Sequence, residues 1–221
     1  MPSNHYPFIA RESWLTIIII FAIVLFIKLF FAGPLFFLSL LGLFIVFYVF
    51  GVPHREIPSQ PLAIVSPVYG VVSKVGEAKE IRLNVNTIRV RIVMRINDIY
   101  SLRSPIEGKV VEQWYEPSFK NQLYQHLDFH VQSDEGDDVV TAIRFRNFMR
   151  RSHIYLNSGE RVGQGQRCGY ISFGAVVDLF IPIESKILVE VGQHVDSGST
   201  VLAELIPVSY THLTLPTTPY V

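Results

Sequence analysis

Two long apolar runs near the start of the chain constrain its fold more than any other sequence feature. Residues 14–32 and 35–50 are almost uninterrupted apolar sequence, separated by Gly33-Pro34. A membrane-spanning helix needs about 20 apolar residues, which the first run supplies and the second nearly supplies. Proline breaks a helix, so the pair marks a turn. The pattern predicts a transmembrane hairpin within an N-terminal segment 1–51, with helices at about 14–32 and 35–50.

The charges around these runs predict an orientation. A signal peptide would have a shorter apolar core and a small-residue cleavage site, and a buried core helix pair would need a larger domain around it. Arg11 precedes the first run, and His54, Arg55 and Lys74 follow the second. The positive-inside rule then places both ends in the cytoplasm. We expect localisation at the inner (cytoplasmic) membrane, with the rest of the chain on its cytoplasmic face.

Residues 52–207 have the period-two pattern of β-strands. Residues 88–96 read IRVRIVMRI, which puts aliphatic side chains on one face of a strand and arginines on the other. Short strands separated by glycine turns predict a mainly β soluble domain, a barrel or sandwich hybrid. Residues 208–221 have no period and are predicted to be a disordered tail that does not look native. The other predicted strands are 62–66, 70–75, 108–115, 127–132, 138–145, 167–173, 176–181, 186–191 and 200–206.

Two pairs of segments repeat within this domain. Residues 66–72 (SPVYGVV) are similar to 104–110 (SPIEGKV), and residues 159–165 (GERVGQG) are similar to 192–198 (GQHVDSG). The glycine spacing of the second pair predicts tight turns with positive φ. It resembles the hairpins of biotinyl and lipoyl carrier domains in architecture only, because no lysine stands at a hairpin tip.

Composition excludes some classes of protein. A chain of 221 residues suits one soluble domain plus a membrane segment, and its formal net charge of zero gives no nucleic-acid footprint. The single cysteine, Cys168, rules out an internal disulfide framework and fits a small buried thiol better than a nucleophile.

The histidines His126 and His130 are four residues apart. That spacing suits a metal only on a helix, and the sequence places no third ligand. Surface or structural histidines are therefore favoured, and no metal is predicted.

A basic cluster is interleaved with aromatic residues near the middle of the domain. It has two interpretations: a solvated strand edge, or a surface that contacts anionic lipid headgroups. Its arginines are Arg144, Arg146, Arg150 and Arg151, beside Phe145 and Phe148.

Five stretches of the domain carry a family resemblance. Residues 165–182 read GQRCGYISFGAVVDLFIP, residues 98–108 read DIYSLRSPIEG, and residues 66–70 read SPVYG. With 53–58 (PHREIP) and the pair Arg150-Arg151, they resemble the short bacterial and archaeal phosphatidylserine decarboxylases across nearly all of 52–206. The resemblance implies a chain that cuts itself between a glycine and a serine, leaving a pyruvoyl group at the serine as the cofactor.

The chain departs from the family pattern at the positions that carry this chemistry. Ala175 stands where the resemblance implies the pyruvoyl-forming serine, directly after Gly174. Tyr69 stands where the resemblance implies an aspartate that works with a histidine as the base for self-cleavage. Tyr100 stands where it implies the histidine of the motif at 98–108. Arg103 matches the motif, as does Asp98, whereas Leu102 replaces its asparagine.

These departures lead to the expectation of a membrane-anchored pseudoenzyme with no pyruvoyl cofactor, which binds lipid headgroups or a partner. The alternative is an active decarboxylase that converts phosphatidylserine, or a related serine phospholipid, to the ethanolamine lipid. A carrier-like interaction module is a third hypothesis. The expected partners are membrane phospholipid and either a second copy of the chain or an active homologue, without nucleic acid.

Overall fold

The computed structural model describes part of the N-terminal segment and most of the β domain. The described residues are 18–19, 21–26, 37, 39–42, 44, 60, 62–95, 98, 100–116, 125–145, 152–171 and 174–206.

The predicted membrane hairpin lies mostly outside the described residues. Those within it, 18–19, 21–26, 37, 39–42 and 44, are α-helical. In this described part, no helix combines the length and the apolar character that crossing a membrane requires. The expected tail 208–221 and both domain boundaries also fall outside the described residues, so they stay predictions.

The described part of the β domain is built from fourteen strands. They are β1 Ala63–Val65, β2 Gly70–Glu80, β3 Val85–Val93, β4 Ser101–Arg103, β5 Gly108–Glu116, β6 Gln125–Gln132, β7 Asp138–Phe145, β8 Ser152–Ile154, β9 Arg161–Val162, β10 Arg167–Ile171, β11 Val176–Pro182, β12 Lys186–Ile187, β13 His194–Val195 and β14 Val201–Glu204. The prediction of a mainly β domain is confirmed.

The strands form one large sheet and two small ones. The eight-stranded sheet has the order β13-β2-β3-β11-β7-β6-β5-β9 and curls into half a barrel, and the small sheets are β1-β14-β12 and β4-β10-β8. Neighbouring strands are antiparallel throughout the described pairs.

The sheet order shows that the domain is a doubled unit. One half contains β1–β3 and β11–β14, and the other contains β4–β10. The halves correspond strand for strand: β13-β2-β3-β11 mirrors β9-β5-β6-β7, and each small sheet has its counterpart. The second half is inserted into the first between β3 and β11, and the two halves join where β11 pairs with β7.

The repeated sequences lie at equivalent places in the two halves. The Ser66 hydroxyl donates to the Val68 carbonyl at 2.6 Å, and the Ser104 hydroxyl donates to the Ile106 carbonyl at 2.8 Å. Each serine carbonyl accepts an N–H from a distant glycine, Ser66 from Gly198 at 2.7 Å and Ser104 from Gly165 at 2.9 Å. The predicted positive φ is confirmed for four glycines of the second repeat pair: Gly159, Gly165, Gly192 and Gly198.

The core lies on one face of the large sheet. Alternate residues of the central strands point into it, as the period of two requires. Val90, Ile92, Ile143, Val177 and Leu179 are each 0% exposed in the main cluster. The other face of the large sheet carries only a small second cluster of buried residues, Val140, Ala142 and Phe180, among the described residues.

Candidate functional site

Two of the segments that carry the family-like positions meet near the end of β3. Gly70, at the start of β2, packs so closely on β3 that a Cβ there would lie 2.6 Å from the Val93 carbonyl oxygen. Gly174 packs on the residues that follow β3, where a Cβ on Gly174 would lie 2.7 Å from the carbonyl oxygen of Met94. Residues 93–95 therefore bring the neighbours of these glycines, Tyr69 and Ala175, to the same end of the sheet.

The backbone at Gly174 requires glycine. Its φ of +76° is a conformation that L-residues rarely adopt, and the space for a Cβ is already occupied. Ala175 follows with its carbonyl accepting the Met94 N–H at 2.9 Å. Its side chain is 1% exposed and belongs to the main core cluster. The glycine of the family motif thus keeps its special geometry, while residue 175 contributes only a methyl group.

Arg103 is buried and connects the two halves of the domain. Its N–H donates to the Pro67 carbonyl at 2.8 Å, beside half-buried Tyr69, and its Nη1 donates to the Gly165 carbonyl at 2.8 Å. The aliphatic part of the side chain covers Gly198, where a Cβ would lie 2.5 Å from Arg103 Cδ. This arginine therefore fixes two turns as well as matching the family motif.

Tyr100 precedes β4 and is 8% exposed. Its carbonyl accepts the Ile171 N–H at 2.8 Å, which ties it to the end of β10 just before the Gly174 turn. Leu102, at the position of the motif's asparagine, is 0% exposed in the core. The structure therefore places the substituted positions on adjacent backbone segments, with apolar or phenolic side chains.

Cys168 lies in this region, and its thiol is buried as expected. Burial raises the pKa of its thiol to about 12. The Sγ atom points to the Leu102 carbonyl at 3.5 Å. A thiol held neutral in this way does not act as a nucleophile near neutral pH.

The basic cluster is only partly within the described residues. Arg144 lies in the interior strand β7, between β11 and β6, and not on a sheet edge. Its Nη2 contacts Asp178 Oδ2 at 2.8 Å. The solvated-edge interpretation is therefore wrong for Arg144, since interior strands have partners on both sides. Arg146, Arg150 and Arg151 lie outside the described residues, and contact of the cluster with lipid stays a prediction.

Asp178 is a buried charge that the sequence did not single out. It is 0% exposed, and its two oxygens accept hydrogen bonds from Arg91 at 2.6 and 2.9 Å, in addition to the contact with Arg144. The side-chain hydrogen bond to Asp178 raises the pKa of Arg91. The arginines of the alternating segment 88–96 were a sequence signal for a buried charge of this kind. They could not identify Asp178, because it lies 87 residues from Arg91 in the sequence.

His126 and His130 both lie on β6, where residues four apart are about 13 Å apart along a strand. That distance is too long for a shared metal ion. The His130 ring Nε2 lies 2.8 Å from Asp138 Oδ1, and the ring stacks on Trp114 with centroids 6.4 Å apart. Among the described residues there is no group of three metal-ligating side chains.

A profile of the family described as phosphatidylserine decarboxylase matches residues 43–203. The chain belongs to the phosphatidylserine decarboxylase family.

Several relatives align over nearly their whole length. The chain is similar to the phosphatidylserine decarboxylase proenzyme of Nitrosomonas eutropha, with 32% identity over 219 residues, 92% of this chain and 99% of that protein. It is 33% identical to the proenzyme of Burkholderia lata over 211 residues, 90% of this chain and 97% of that protein. For the proenzyme of Aromatoleum aromaticum the identity is 32% over 217 residues, 92% and 99% of the two chains. No solved structure matches the chain.

The resemblance assigns the pyruvoyl-forming position to residue 175, which is an alanine whose methyl group lies in the core. An alanine has no side-chain oxygen, so residue 175 does not fit a pyruvoyl group.

Proposed function

We propose that this chain is a non-processing member of the phosphatidylserine decarboxylase family, which stays one polypeptide and binds phospholipid at the membrane. The observation that carries the proposal is Ala175. Self-cleavage needs a hydroxyl that attacks the preceding carbonyl and forms an ester, and a methyl group has no atom that can do so. Decarboxylation also needs an electron sink for the developing carbanion, which the pyruvoyl carbonyl supplies in the family.

The surrounding residues support the loss of processing. Cys168 is held as a neutral thiol and does not replace the missing hydroxyl. The family's acid–base positions are Tyr69 and Tyr100, and a tyrosine with a reference pKa of about 10 is a poor substitute for a carboxylate base near neutral pH. Three changes in one reaction centre favour loss of the reaction over a variant mechanism.

Membrane association is the second part of the proposal. The apolar runs 14–32 and 35–50 would anchor the chain in the cytoplasmic membrane with the β domain on the cytoplasmic face. Anchoring raises the effective concentration of lipid near the domain, so weak headgroup contacts suffice. The arginines predicted to contribute are Arg144, Arg146, Arg150 and Arg151.

The second candidate is an active decarboxylase of phosphatidylserine. It is favoured by the relatives described above, each of which is named a phosphatidylserine decarboxylase proenzyme. The retained Gly174 geometry and the buried Arg103 also fit an active ancestor. Formation of ethanolamine lipid from phosphatidylserine by the purified chain would establish this alternative.

Intact mass measurement of the purified full chain tests the proposal. We expect one species of about 25.2 kDa and one band on a denaturing gel, because residue 175 has no hydroxyl. The chain carrying Ala175→Ser alone is expected to stay intact as well, since Tyr69 and Tyr100 still occupy the acid–base positions. Adding Tyr69→Asp and Tyr100→His should give detectable cleavage.

Two results would contradict the proposal. A wild-type chain split after Gly174, with a blocked downstream fragment, would show that processing survives without the serine. Ready cleavage of the Ala175→Ser single variant would show that Tyr69 and Tyr100 do not limit the reaction.

A further inference from the structure

A cleft on the open face of the large sheet lies apart from the Gly174 turn. Its volume is about 380 Å³, and its lining includes Arg89, Ala142 and Phe180. Phe180 lies directly across from Arg89 in the β3–β11 pairing, so both project from this face. Ala175 and Val177 of the same segment belong to the core cluster on the other face. The cleft and the family's reaction centre are therefore on opposite sides of β11.

The turn between β2 and β3 closes one side of the cleft. Arg82, in this turn, donates from Nε to Asp128 Oδ2 on β6 at 2.9 Å. Its guanidinium also lies 5.0 Å from the ring centroid of Trp114 on β5. Strands β11 and β7 lie between β3 and β6 in the sheet. The β2–β3 turn therefore extends over both of them, across the floor of the cleft. Ile81, next to Arg82, stands at the rim with 89% of its surface exposed.

Positive charge is in excess in the lining, which has four cationic and two acidic side chains. Each acid has one engaged oxygen: Asp128 Oδ2 accepts from Arg82, and Glu80 Oε2 accepts the Leu83 N–H. The other oxygen of Asp128, Oδ1, is buried without a hydrogen-bond partner in the described part of the chain. Arg144 is engaged by Asp178. The remaining cations, Arg89 and Lys79, have no acidic partner among the described residues.

Arg89 also has a buried hydrogen-bond donor that is not used. Its Nε is inaccessible to solvent and has no acceptor in the described part of the chain, and the same holds for the Nε of Arg144. A buried donor without an acceptor destabilises the fold. Two such donors at one cleft, together with the excess positive charge, indicate that an anionic acceptor belongs there.

We propose that this cleft binds a phosphate ester, with the phosphate held by Arg89, near the positive charge of Lys79, and the organic part against Phe180 and Ala142. Guanidinium groups match phosphate oxygens with paired hydrogen bonds, and an ammonium adds a point charge. The volume lies within the range of about 300–1,000 Å³ typical of small-molecule sites. The apolar floor distinguishes an ester from inorganic phosphate alone. The cleft would be the site of the proposed phospholipid binding. The inference rests on the proposed function in one respect only, namely that a phospholipid supplies the phosphate ester.

The test is calorimetric titration of the full chain in a zwitterionic detergent. The probes are inorganic phosphate, glycerol 3-phosphate, dihexanoyl phosphatidic acid and, as a zwitterionic comparison, dihexanoyl phosphatidylcholine. The cleft variant is Lys79→Gln/Arg89→Gln. The matched control is Lys109→Gln/Arg161→Gln, which removes the same charge from exposed positions on the same sheet. Circular dichroism checks the fold, and Arg89→Lys provides a milder change that keeps the charge.

We expect glycerol 3-phosphate and dihexanoyl phosphatidic acid to bind the wild-type chain as tightly as they bind the control variant, and dihexanoyl phosphatidylcholine to bind more weakly because its headgroup has no net charge. The cleft variant should bind about tenfold more weakly or worse, as loss of charge-assisted hydrogen bonds implies, and Arg89→Lys should lie between. Binding of glycerol 3-phosphate as tight as that of the short lipid would identify a soluble ester as the source. Preference for phosphatidic acid, with the same dependence on Arg89, would identify a lipid headgroup.

Equal affinities of the two double variants, or no binding of any phosphate probe, would overturn the proposal. If the double variant does not fold, Arg89→Lys decides: unchanged affinity in that variant overturns the site. These outcomes are separate from processing, because the intact mass of the chain tests the loss of self-cleavage without reference to the cleft.

Discussion

At the scale of single residues, the buried carboxylate of Asp178 pairs with two arginines of neighbouring strands. It is 0% exposed and holds Arg91 and Arg144, whose side chains are 28% and 32% exposed. A buried ion pair adds little net stability, but removing one partner leaves charge uncompensated. Since the arginines come from β3 and β7, on either side of β11, Asp178 also fixes the centre of the large sheet.

Replacing Asp178 with asparagine should therefore be costly. We expect Asp178→Asn to lower the free energy of unfolding by about 3 kcal/mol, because two arginines lose their counter-charge inside the sheet. The matched control is Asp134→Asn, at an exposed ion pair with Arg161 where both side chains are at least 60% exposed. That change should cost about 1 kcal/mol or less. Denaturant titration of the full chain measures both, and equal costs would show that Asp178 is not a structural charge.

At the scale of elements, most of the longer predicted strands are confirmed with changes at their ends, but the prediction of a strand over 186–191 is wrong beyond Lys186–Ile187. Residues 138–145 form β7 as predicted, and the predicted strand 70–75 is longer, extending to Glu80. The strands β4, β8, β9 and β13 were missed. They have two or three residues each, which is too short for an alternating pattern to appear. Their pairing depends on distant partners and not on local sequence.

The paired glycine turns give a prediction at this scale. Gly198→Ala should destabilise the domain by about 2–4 kcal/mol, because alanine is strained at a φ of +77° and its Cβ would displace Arg103. Gly136→Ala is the matched control: its φ is +93°, but nothing lies within 4 Å of the added Cβ. That variant should lose only about 1–2 kcal/mol. Unfolding free energies of the two variants separate the steric contribution of Arg103 from backbone strain, and indistinguishable values would mean that Arg103 moves aside freely.

At the scale of the whole molecule, the doubled architecture makes the two halves interdependent. The half containing β4–β10 is inserted into the other, so β1 pairs with β14 across most of the domain, as in the register of Ala63 with Glu204. Such non-local pairing slows folding, since long loops must close before contacts form. It also means that neither half can leave the fold without breaking the shared β7–β11 pairing. We therefore expect the domain to unfold as one cooperative unit.

Cys168 provides the measurement, because it is the sole cysteine of the chain and is 0% exposed in the main core cluster. In the native chain at pH 8 its thiol should react with a disulfide reagent at a rate far below that of a free cysteine, because burial raises its pKa to about 12. With increasing denaturant, thiol labelling and tryptophan fluorescence should report the same transition. Labelling that precedes the fluorescence change would show that the β4–β10 half opens independently.

The sequence by itself determined the strand period, the repeated turns and the absence of an oxygen at residue 175, because each of these is a local property of the chain. Family membership could also be predicted, since its motifs are short contiguous segments. The tertiary structure decided that Arg91 and Arg144 enclose Asp178, that Arg103 bridges the Gly165 and Gly198 turns, and that a cleft with four cationic side chains in its lining lies on the sheet face opposite Ala175. These features depend on which strands become neighbours. An alternating pattern gives the face of a strand but not its partner, so charges 87 residues apart in sequence become adjacent only when β3 pairs with β11.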